Sequence, residues 1–435
     1  MNPTAGTTMT EYLRDTRSVC PVCLKNLPAR LTQQPDGQVI LEKNCPEHGT
    51  FRVPVWRGRM NFGQWTRGAA PLADQAGRCC PENCGLCPEH ETGSCCVLLE
   101  VTAACNLRCR FCFADGGKPA AEPDTETLKA AIAQIAARCG GPLLQLSGGE
   151  PTLRKDLPEL VRFAKAAGCR YVQLNTNGIR LAKDQTFVQD LASAGLDVVF
   201  LQFDGTDDAI YQQLRGKPLL QTKLQAVRNC GDAGIGVTLV PTVVKGVNDQ
   251  NLGQLIRLAA SLVPDVRGIH FQPVSYFGRI PHPPGPDDRY TLDQLMADIH
   301  KQADIPLESF LPSRCDHPLC GFHGNYLVNA NGTLRPLTDI SQAAAGRSSA
   351  SQNREYVARR WHRAPEEVPP ASLSDEMSFD AFLYQIRHRS LSLSAMAFQD
   401  AMNFNIERLH RCSLHVYQDG RILPFCAKYL TPVEM

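Results

Sequence analysis

Nineteen cysteines in 435 residues, most of them bunched at short spacings, constrain this chain more than any other feature. In a short secreted chain such a pattern would be a disulfide framework. This chain is long, and its first residues, MNPTAGTTMTEYLRD, lack a basic stretch followed by an apolar core. The expectation is a cytoplasmic protein with several metal centres. The densest chemistry lies in residues 102–115, TAACNLRCRFCFAD, where Cys105, Cys109 and Cys112 stand at Cys-x3-Cys-x2-Cys. Soft thiolates suit zinc or an iron–sulfur cluster. A four-iron cube held by three cysteines keeps one iron open for a ligand, whereas a structural site is normally closed. A structural zinc site with one ligand uncounted is the plainer alternative.

Two further knuckles precede it. Cys20-Pro-Val-Cys23 and Cys45-Pro-Glu-His48 flank ARLTQQPDGQVILEKN, which reads as a hairpin turning at Pro35-Asp36-Gly37. Cys20, Cys23, Cys45 and His48 complete a tetrahedral set, zinc first and a single iron second. A segment of about 60 residues could hardly bury enough core without such an ion. Residues 61–78 read as a linker. Residues 79–96, CCPENCGLCPEHETGSCC, carry six cysteines. Four suffice for one 4Fe–4S cluster, and Cys80, Cys84, Cys87 and Cys95 are the expected ligands, with Cys79 and Cys96 as their neighbours. His90 repeats the CPEH pattern of residues 45–48 but reads better as a surface histidine.

From Val97 onward, short apolar runs alternate with helical stretches such as 125–139 and 157–168. The strands expected are 97–102, 143–147, 171–176, 198–204, 237–244 and 269–274. Six strands with helical crossovers predict an α/β fold, a partial (βα)6 barrel over 97–280, whose site lies at the C-terminal strand ends. Those ends carry polar residues. Ser147-Gly148-Gly149-Glu150-Pro151 offers backbone that can approach a ligand closely and a carboxylate suited to an ammonium group. Asn175-Thr176-Asn177-Gly178, Gln202-Phe203-Asp204-Gly205, Thr242, Asn248 and Gln272 end the later strands. Arg215 is a candidate for positioning the Asp204 loop. Each of these could equally be an ordinary turn residue or surface pair.

The remainder, 281–435, is less regular. Residues 280–288 form a proline-rich loop. Residues 341–372 read as an exposed loop or weak helix. Cys315 and Cys320 make another knuckle, and Cys412 and Cys426 flank a hairpin turning at Asp419-Gly420. Together these four would close a second auxiliary cluster, with zinc as competitor. Cys139, Cys169 and Cys230 read as core thiols.

Hydrophobic residues make up 43% and charged residues 20%, with a net charge of +1, which points to a globular fold and away from nucleic acid. No run of 18 apolar residues predicts a transmembrane segment.

CPVCLKNLPARL, CPEHGTF, NCGLCPEHETGSC, LEVTAACNLRCRFCFAD, LQLSGGEPTL, LNTNG, LQFDG, LRGK and GRILPFCAKYL together resemble one branch of the radical S-adenosylmethionine (radical SAM) superfamily. That branch holds the cobalamin-independent pterin methyltransferases of methanogens and the archaeal tetraether-lipid synthases. The resemblance spans about 20–280 and 312–430. It departs at Cys96, where the branch usually carries an aliphatic residue, and in a somewhat short C-terminal half.

The resemblance implies that Cys105, Cys109 and Cys112 hold a 4Fe–4S cluster whose open iron chelates S-adenosylmethionine. Phe113, Gly148, Gly149, Glu150, Asn177, Gln202, Asp204, Thr242 and Gln272 are then its expected contacts. The implied activity is a transferase that generates a 5′-deoxyadenosyl radical. It would attack an unactivated C–H bond, with C-methylation or another C–C bond formation on a small heterocycle or lipid. A reduced folate or pterin is then the methyl donor, and a ferredoxin or flavodoxin the electron donor. Radical coupling of lipid chains is the second reading. A non-catalytic iron–sulfur electron carrier is a third, from another class, and it has no use for the GGEP and NTNG elements.

Overall fold

The computed structural model describes residues 9–67, 80–82, 84–119, 121–285, 287–338, 348–365, 367 and 379–433. Cys79 and much of 341–372 lie outside them.

The chain begins with a four-stranded antiparallel sheet, β1 (Glu11–Val19), β2 (Asn26–Gln33), β3 (Val39–Cys45) and β4 (Gly49–Trp56), in that order. The hairpin at 35–37 is present, and Gly37 takes φ +84°, which a side chain would strain. Lys43 is buried beneath the sheet. Its Nζ donates to Ser18 Oγ at 2.9 Å and to the carbonyls of Ala401 and Met402 at 2.9 and 2.8 Å, fastening the sheet to the rest of the fold. Residues 62–65 form a short helix rather than part of a linker. Phe62 and Trp65 are buried, and their rings pack on Trp56 at 5.7 and 6.2 Å.

A long mixed sheet follows. Its strands are β5 (Cys96–Thr102), β6 (Leu143–Gly148), β7 (Tyr171–Thr176), β8 (Val198–Gln202), β9 (Gly236–Val240), β10 (Thr242–Val243), β11 (Val266–Pro273), β12 (Leu311–Pro312), β13 (Gly321–Val328), β14 (Leu334–Pro336), β15 (Ser390–Met396), β16 (Leu414–Gln418) and β17 (Arg421–Pro424). The predicted six-strand core is β5-β6-β7-β8-β9-β11, parallel throughout. These strands are buried on both faces, so they read as near-continuous apolar runs. Amphipathic helices cover the outside. Thr125–Cys139, for example, starts at Asp124, whose side chain accepts from Thr127 N at 2.7 Å, and stops at left-handed Gly140.

The C-terminal segment joins this sheet at both edges. β16 pairs parallel with β5, and β15 pairs parallel with β11, so eight parallel strands stand side by side. β13 then lies antiparallel to β15, and β17 to β16 through the turn at Asp419-Gly420.

The helix Ala350–Trp361, opened by a Ser349–Gln352 capping box, lies across the N-terminal ends of the strands. Asn353 Nδ2 reaches Cys95 Sγ at 3.4 Å, just before β5. Arg354 donates to Gly141 O at 2.7 Å before β6, and Glu355 pairs with Arg170 before β7. Beyond the helix, Arg363 pairs with Asp265 at 3.0 Å before β11. The helix thus closes the bottom of the barrel. No helix among the described residues is long and apolar enough to cross a membrane.

Candidate active site and metal centres

In the N-terminal sheet the two knuckles sit in the turns that join β1 to β2 and β3 to β4, at one end of the sheet. The donor atoms of Cys20, Cys23, Cys45 and His48 all lie within 4.8 Å of one another. His48 Nδ1 stands 3.6 Å from Cys20 Sγ and 3.4 Å from Cys45 Sγ, and Cys23 and Cys45 sulfurs are 4.0 Å apart. Ligands at tetrahedral zinc distances of about 2.0–2.3 Å would sit at such separations, so the residues fit the ion. Burial opposes ionisation of Cys45, but hydrogen bonds from His48 and the backbone outweigh it and bring the thiol down to about 6. Replacing Cys45 with serine is expected to lower bound zinc from one ion per chain to near zero. Because a structural zinc supplies folding energy outright, limited proteolysis should then cut within 11–56 first.

The triad occupies the loop after β5, at the C-terminal end of the barrel. Cys105, Cys109 and Cys112 line one cavity of about 230 Å³ with Glu150, Asn177 and Gln272. Phe113, Gly148, Gly149, Gln202 and Thr242 line it too. Burial, reinforced by Glu150 and the other two sulfurs, pushes the Cys105 thiol up to about 11. Three thiolates there need a cation, which is what an iron cluster provides. The loop is stapled shut by Arg279, whose Nε donates to Cys109 O at 2.9 Å, and by paired backbone bonds between Cys112 and Arg279. Phe113 packs its ring on Phe425 and Tyr429 at 5.4 and 5.0 Å.

The glycines that line the cavity also have a structural purpose. A Cβ on Gly148 would stand 2.3 Å from Thr102 O, and one on Gly149 2.2 Å from Ala104 O. The two glycines thus let the strand end pack closely on the backbone that carries the triad. Gly149 N and Glu150 N donate to Thr102 O and Ala104 O, both at 2.8 Å. Gly148 also takes φ +118°. Gly148→Ala is expected to cost about 3 kcal/mol from strain and crowding, read as a lower melting temperature.

Glu150 is buried. Its Oε1 accepts from Thr152 N and Oγ1 (3.1 and 2.6 Å) and Thr176 Oγ1 (2.6 Å), and its Oε2 accepts from Asn177 N at 2.7 Å. Oε2 keeps capacity for a further donor such as an ammonium group. Asn177 Nδ2 donates to Asn106 Oδ1 at 2.7 Å, tying the third strand end to the triad loop.

Asp204 departs from expectation. It does not line the cavity. It is buried, with Arg215 Nε and Nη2 donating to its two oxygens at 2.7 and 2.6 Å. Arg215 does position the Asp204 loop, and it also reaches Thr242 Oγ1 at 3.0 Å and the Cys109 sulfur. Asn248 is likewise structural: its amide donates to Asp204 O and Thr242 O and accepts from Val244 N. Two residues that sequence reasoning missed hold this end of the barrel, Arg279 and Lys223. Lys223 is fully buried and donates to Asn177 O at 2.5 Å and Gln202 Oε1 at 2.7 Å, and burial lowers its ammonium to about 7. A lysine on an inward position of the helix Leu220–Asp232 was the available signal.

The remaining cysteines are shared out otherwise than expected. Cys95 does not join Cys80, Cys84 and Cys87; it is hydrogen-bonded to Cys315. Consecutive cysteines in a chain entering a strand point to opposite sides, and Cys95 faces the segment around Ser413. Cys315 in turn is withdrawn from its own knuckle, its sulfur 3.1 Å from Ser413 Oγ. Cys80 is hydrogen-bonded to Cys84 and lies 3.5 Å from His410 Nε2, with Glu89 within 4.8 Å of both. Cys320, Cys412, Cys426 and Asp316 line a separate cavity of about 20 Å³. His90 is not a fully exposed surface histidine. It is half-buried, with Nε2 2.7 Å from Cys412 O and 3.2 Å from His415 Nε2. Cys169 and Cys230 are buried core thiols.

The radical SAM superfamily model matches residues 99–259, and a model described as an HMPTM N-terminal zinc ribbon domain matches 12–57. The 7,8-dihydro-6-hydroxymethylpterin dimethyltransferase of Methanocaldococcus jannaschii is 33% identical, over 95% of this chain and 92% of its own. This chain belongs to the radical SAM superfamily, in the family of that dimethyltransferase. The first four strands are therefore its zinc ribbon, and the barrel is a radical SAM core that takes a 4Fe–4S cluster and S-adenosylmethionine. A GTP 3′,8-cyclase of Haemophilus influenzae is 34% identical over 36% of this chain and 48% of that relative. The crystal structure of Streptococcus suis SuiB bound to precursor peptide SuiA aligns with a TM-score of 0.41 at 16% identity, covering 49% of this chain and 47% of that one.

Proposed function

We propose that this radical SAM methyltransferase attaches carbon to a C–H position of a pterin-type heterocycle. The observation that carries the reading is the near full-length similarity to a pterin dimethyltransferase, in a chain whose barrel mouth gathers the triad and the polar strand ends around one cavity.

In this reading Cys105, Cys109 and Cys112 hold the cluster. Glu150 Oε2 accepts the amino group of S-adenosylmethionine, and Asn177, Gln202, Thr242 and Gln272 bind the rest of it. When bound, cluster and cofactor supply a 5′-deoxyadenosyl radical for hydrogen abstraction. The protein's part is to orient and to exclude water. Arg279 holds the triad loop closed, Arg215 places a fixed positive charge beside Cys109, and Phe113, Phe277 and Phe425 make one wall of the cavity apolar.

Two auxiliary iron–sulfur centres belong to this reading, regrouped from the sequence expectation. Cys80, Cys84 and Cys87 seed one, and Cys320, Cys412 and Cys426 the other. The second is supported by its cavity, which shares Phe398, Leu414 and Phe425 with the main one. Such contact suits electron relay toward the triad, with an external donor of ferredoxin or flavodoxin class. The test is anaerobic reconstitution, reduction, and incubation with S-adenosylmethionine, a reduced hydroxymethylpterin and a one-carbon-loaded reduced folate or pterin as methyl donor. Mass spectrometry should find the pterin heavier by one or two methyl groups. An unaltered pterin beside abundant 5′-deoxyadenosine would reject the substrate while keeping the radical chemistry.

A further inference from the structure

Outside the barrel lumen lies a second, smaller cavity, of about 40 Å³. It forms where three parts of the chain meet: Pro54 and Val55 at the end of the ribbon sheet, the segment that follows β11, and the C-terminal stretch 397–408. Pro273, Val274, Ser275 and Phe398 line both this cavity and the main one, so a single wall divides the two.

Its chemistry is one-sided. Two arginines line it, Arg289 and Arg408, and no carboxylate is among its described lining residues. Arg289 is neutralised by Asp400, to which Nη1 and Nη2 donate at 2.8 and 2.7 Å. Arg408 has no such partner. It is 6% exposed, its Nη2 donates to Ala397 O, and its Nε lies 3.5 Å from Cys320 Sγ. Its Nη1 has no protein acceptor among the described residues, and it is not closed off in the packing either. An iron–sulfur centre at Cys320 would face the Nε edge of the guanidinium and leave Nη1 as it is.

Two amides add to this. Asn403 Oδ1 accepts from Asp400 N at 2.9 Å, and Asn405 Oδ1 accepts from Glu407 N and Thr16 Oγ1 at 2.8 and 3.2 Å. A backbone N–H on the oxygen fixes which end of each amide is which. The two Nδ2 groups are then left without a protein acceptor, although Asn405 is only 3% exposed. Unpaired buried donors cost roughly 1–3 kcal/mol each, and a buried cation without a counter-charge costs more. Water could satisfy the amides but would not neutralise Arg408. One water needs roughly 10–15 Å³, so the cavity has room for about three, the size of one carboxylate or phosphate group.

We infer that this cavity is an oxyanion-binding site, in which Arg408, Asn403 and Asn405 hold a phosphate ion or the carboxylate end of an organic ligand. The wall shared with the main cavity suits a ligand anchored here by its charged end. A folate-type methyl donor, which has such an end, belongs to the function proposed above; the oxyanion site does not depend on it.

The test is calorimetric titration of the full, anaerobically reconstituted chain in chloride buffer. The probes are inorganic phosphate, tetrahydrofolate, and 6-methyltetrahydropterin, which has no carboxylate. Asn403→Asp and Asn405→Asp keep size and the accepting oxygen but put a negative oxygen where the NH2 group stood. Phosphate should bind the parent at one site, and each variant at least about tenfold more weakly. Affinity for S-adenosylmethionine should hold. Iron content and melting temperature identify a variant that has not folded, and the other variant then carries the test. Tetrahydrofolate that outbinds the tail-less pterin, competes with phosphate and weakens in the variants would assign the site to its carboxylate. Phosphate binding alone, with the same sensitivity, would assign it to the free ion. Failure of both phosphate and tetrahydrofolate to bind the parent, or equal affinity for them in folded variants, would overturn the site.

Discussion

Replacing Cys105, Cys109 and Cys112 together with alanine is expected to abolish 5′-deoxyadenosine formation and to remove about four irons per chain, one cluster's worth. Zinc and the iron of the two proposed auxiliary centres should stay. The reason is spatial. The triad lies in the loop after β5, while the ribbon ligands gather at the turns of a separate sheet and the other cysteines gather around 410–426. Metal analysis and Mössbauer spectroscopy of the variant against its parent make the check. Loss of all iron would mean that the auxiliary centres do not exist or depend on the triad.

The second large effect is expected at Arg215. Its guanidinium is buried, where desolvation alone would lower its proton affinity, yet Asp204 and Cys109 hold it firmly charged. The fork meets Asp204 at two points. Arg215→Ala leaves a buried carboxylate without its partner, a loss of about 3–5 kcal/mol. Arg215→Lys keeps the charge but not the two-point geometry, so it should recover only part of that. Denaturant unfolding measures both. A neutral result for Arg215→Ala would mean that water enters beside Asp204, and the role assigned to this pair would fall.

A smaller effect concerns acid. His270 and His323 are held near 4 by burial, with arginines adding to the effect at His323. Their folded values lie below the unfolded value of about 6.5. The unfolded chain therefore binds more protons as pH falls from 6.5 to 4, and stability should drop across that window. The melting temperature followed over it checks the sign, and His323→Gln should flatten the slope.

The triad, the six core strands and the ribbon ligands were legible because each depends on local spacing. Apolar runs buried on both faces announce parallel strands, and paired knuckles around a hairpin announce a metal ribbon. The C-terminal strands were not legible. SLSLSAM at 390–396 becomes a barrel-edge strand only by pairing with β11, more than a hundred positions earlier, and nothing local says so. The spatial neighbours of the auxiliary cysteines were not legible for the same reason. Sequence proximity put Cys95 with Cys87 and Cys315 with Cys320, but the turn before β5 and the bonds of Ser413 draw Cys95 and Cys315 together. Asp204 looked like a ligand contact because it ends a strand. Its partner Arg215 sits on the following helix, so distinguishing the two roles required coordinates.

The parallel pairing of β16 with β5 also decides what shelters the triad. Tyr429 donates to Glu100 Oε1 across 329 positions, and Leu414 and Phe425 complete the cavity wall beside the triad. Contacts so distant in sequence carry a larger loop-closure cost than the local turns do. The wall that shelters the triad is thus built by the last hairpin of the chain, far in sequence from the loop it covers.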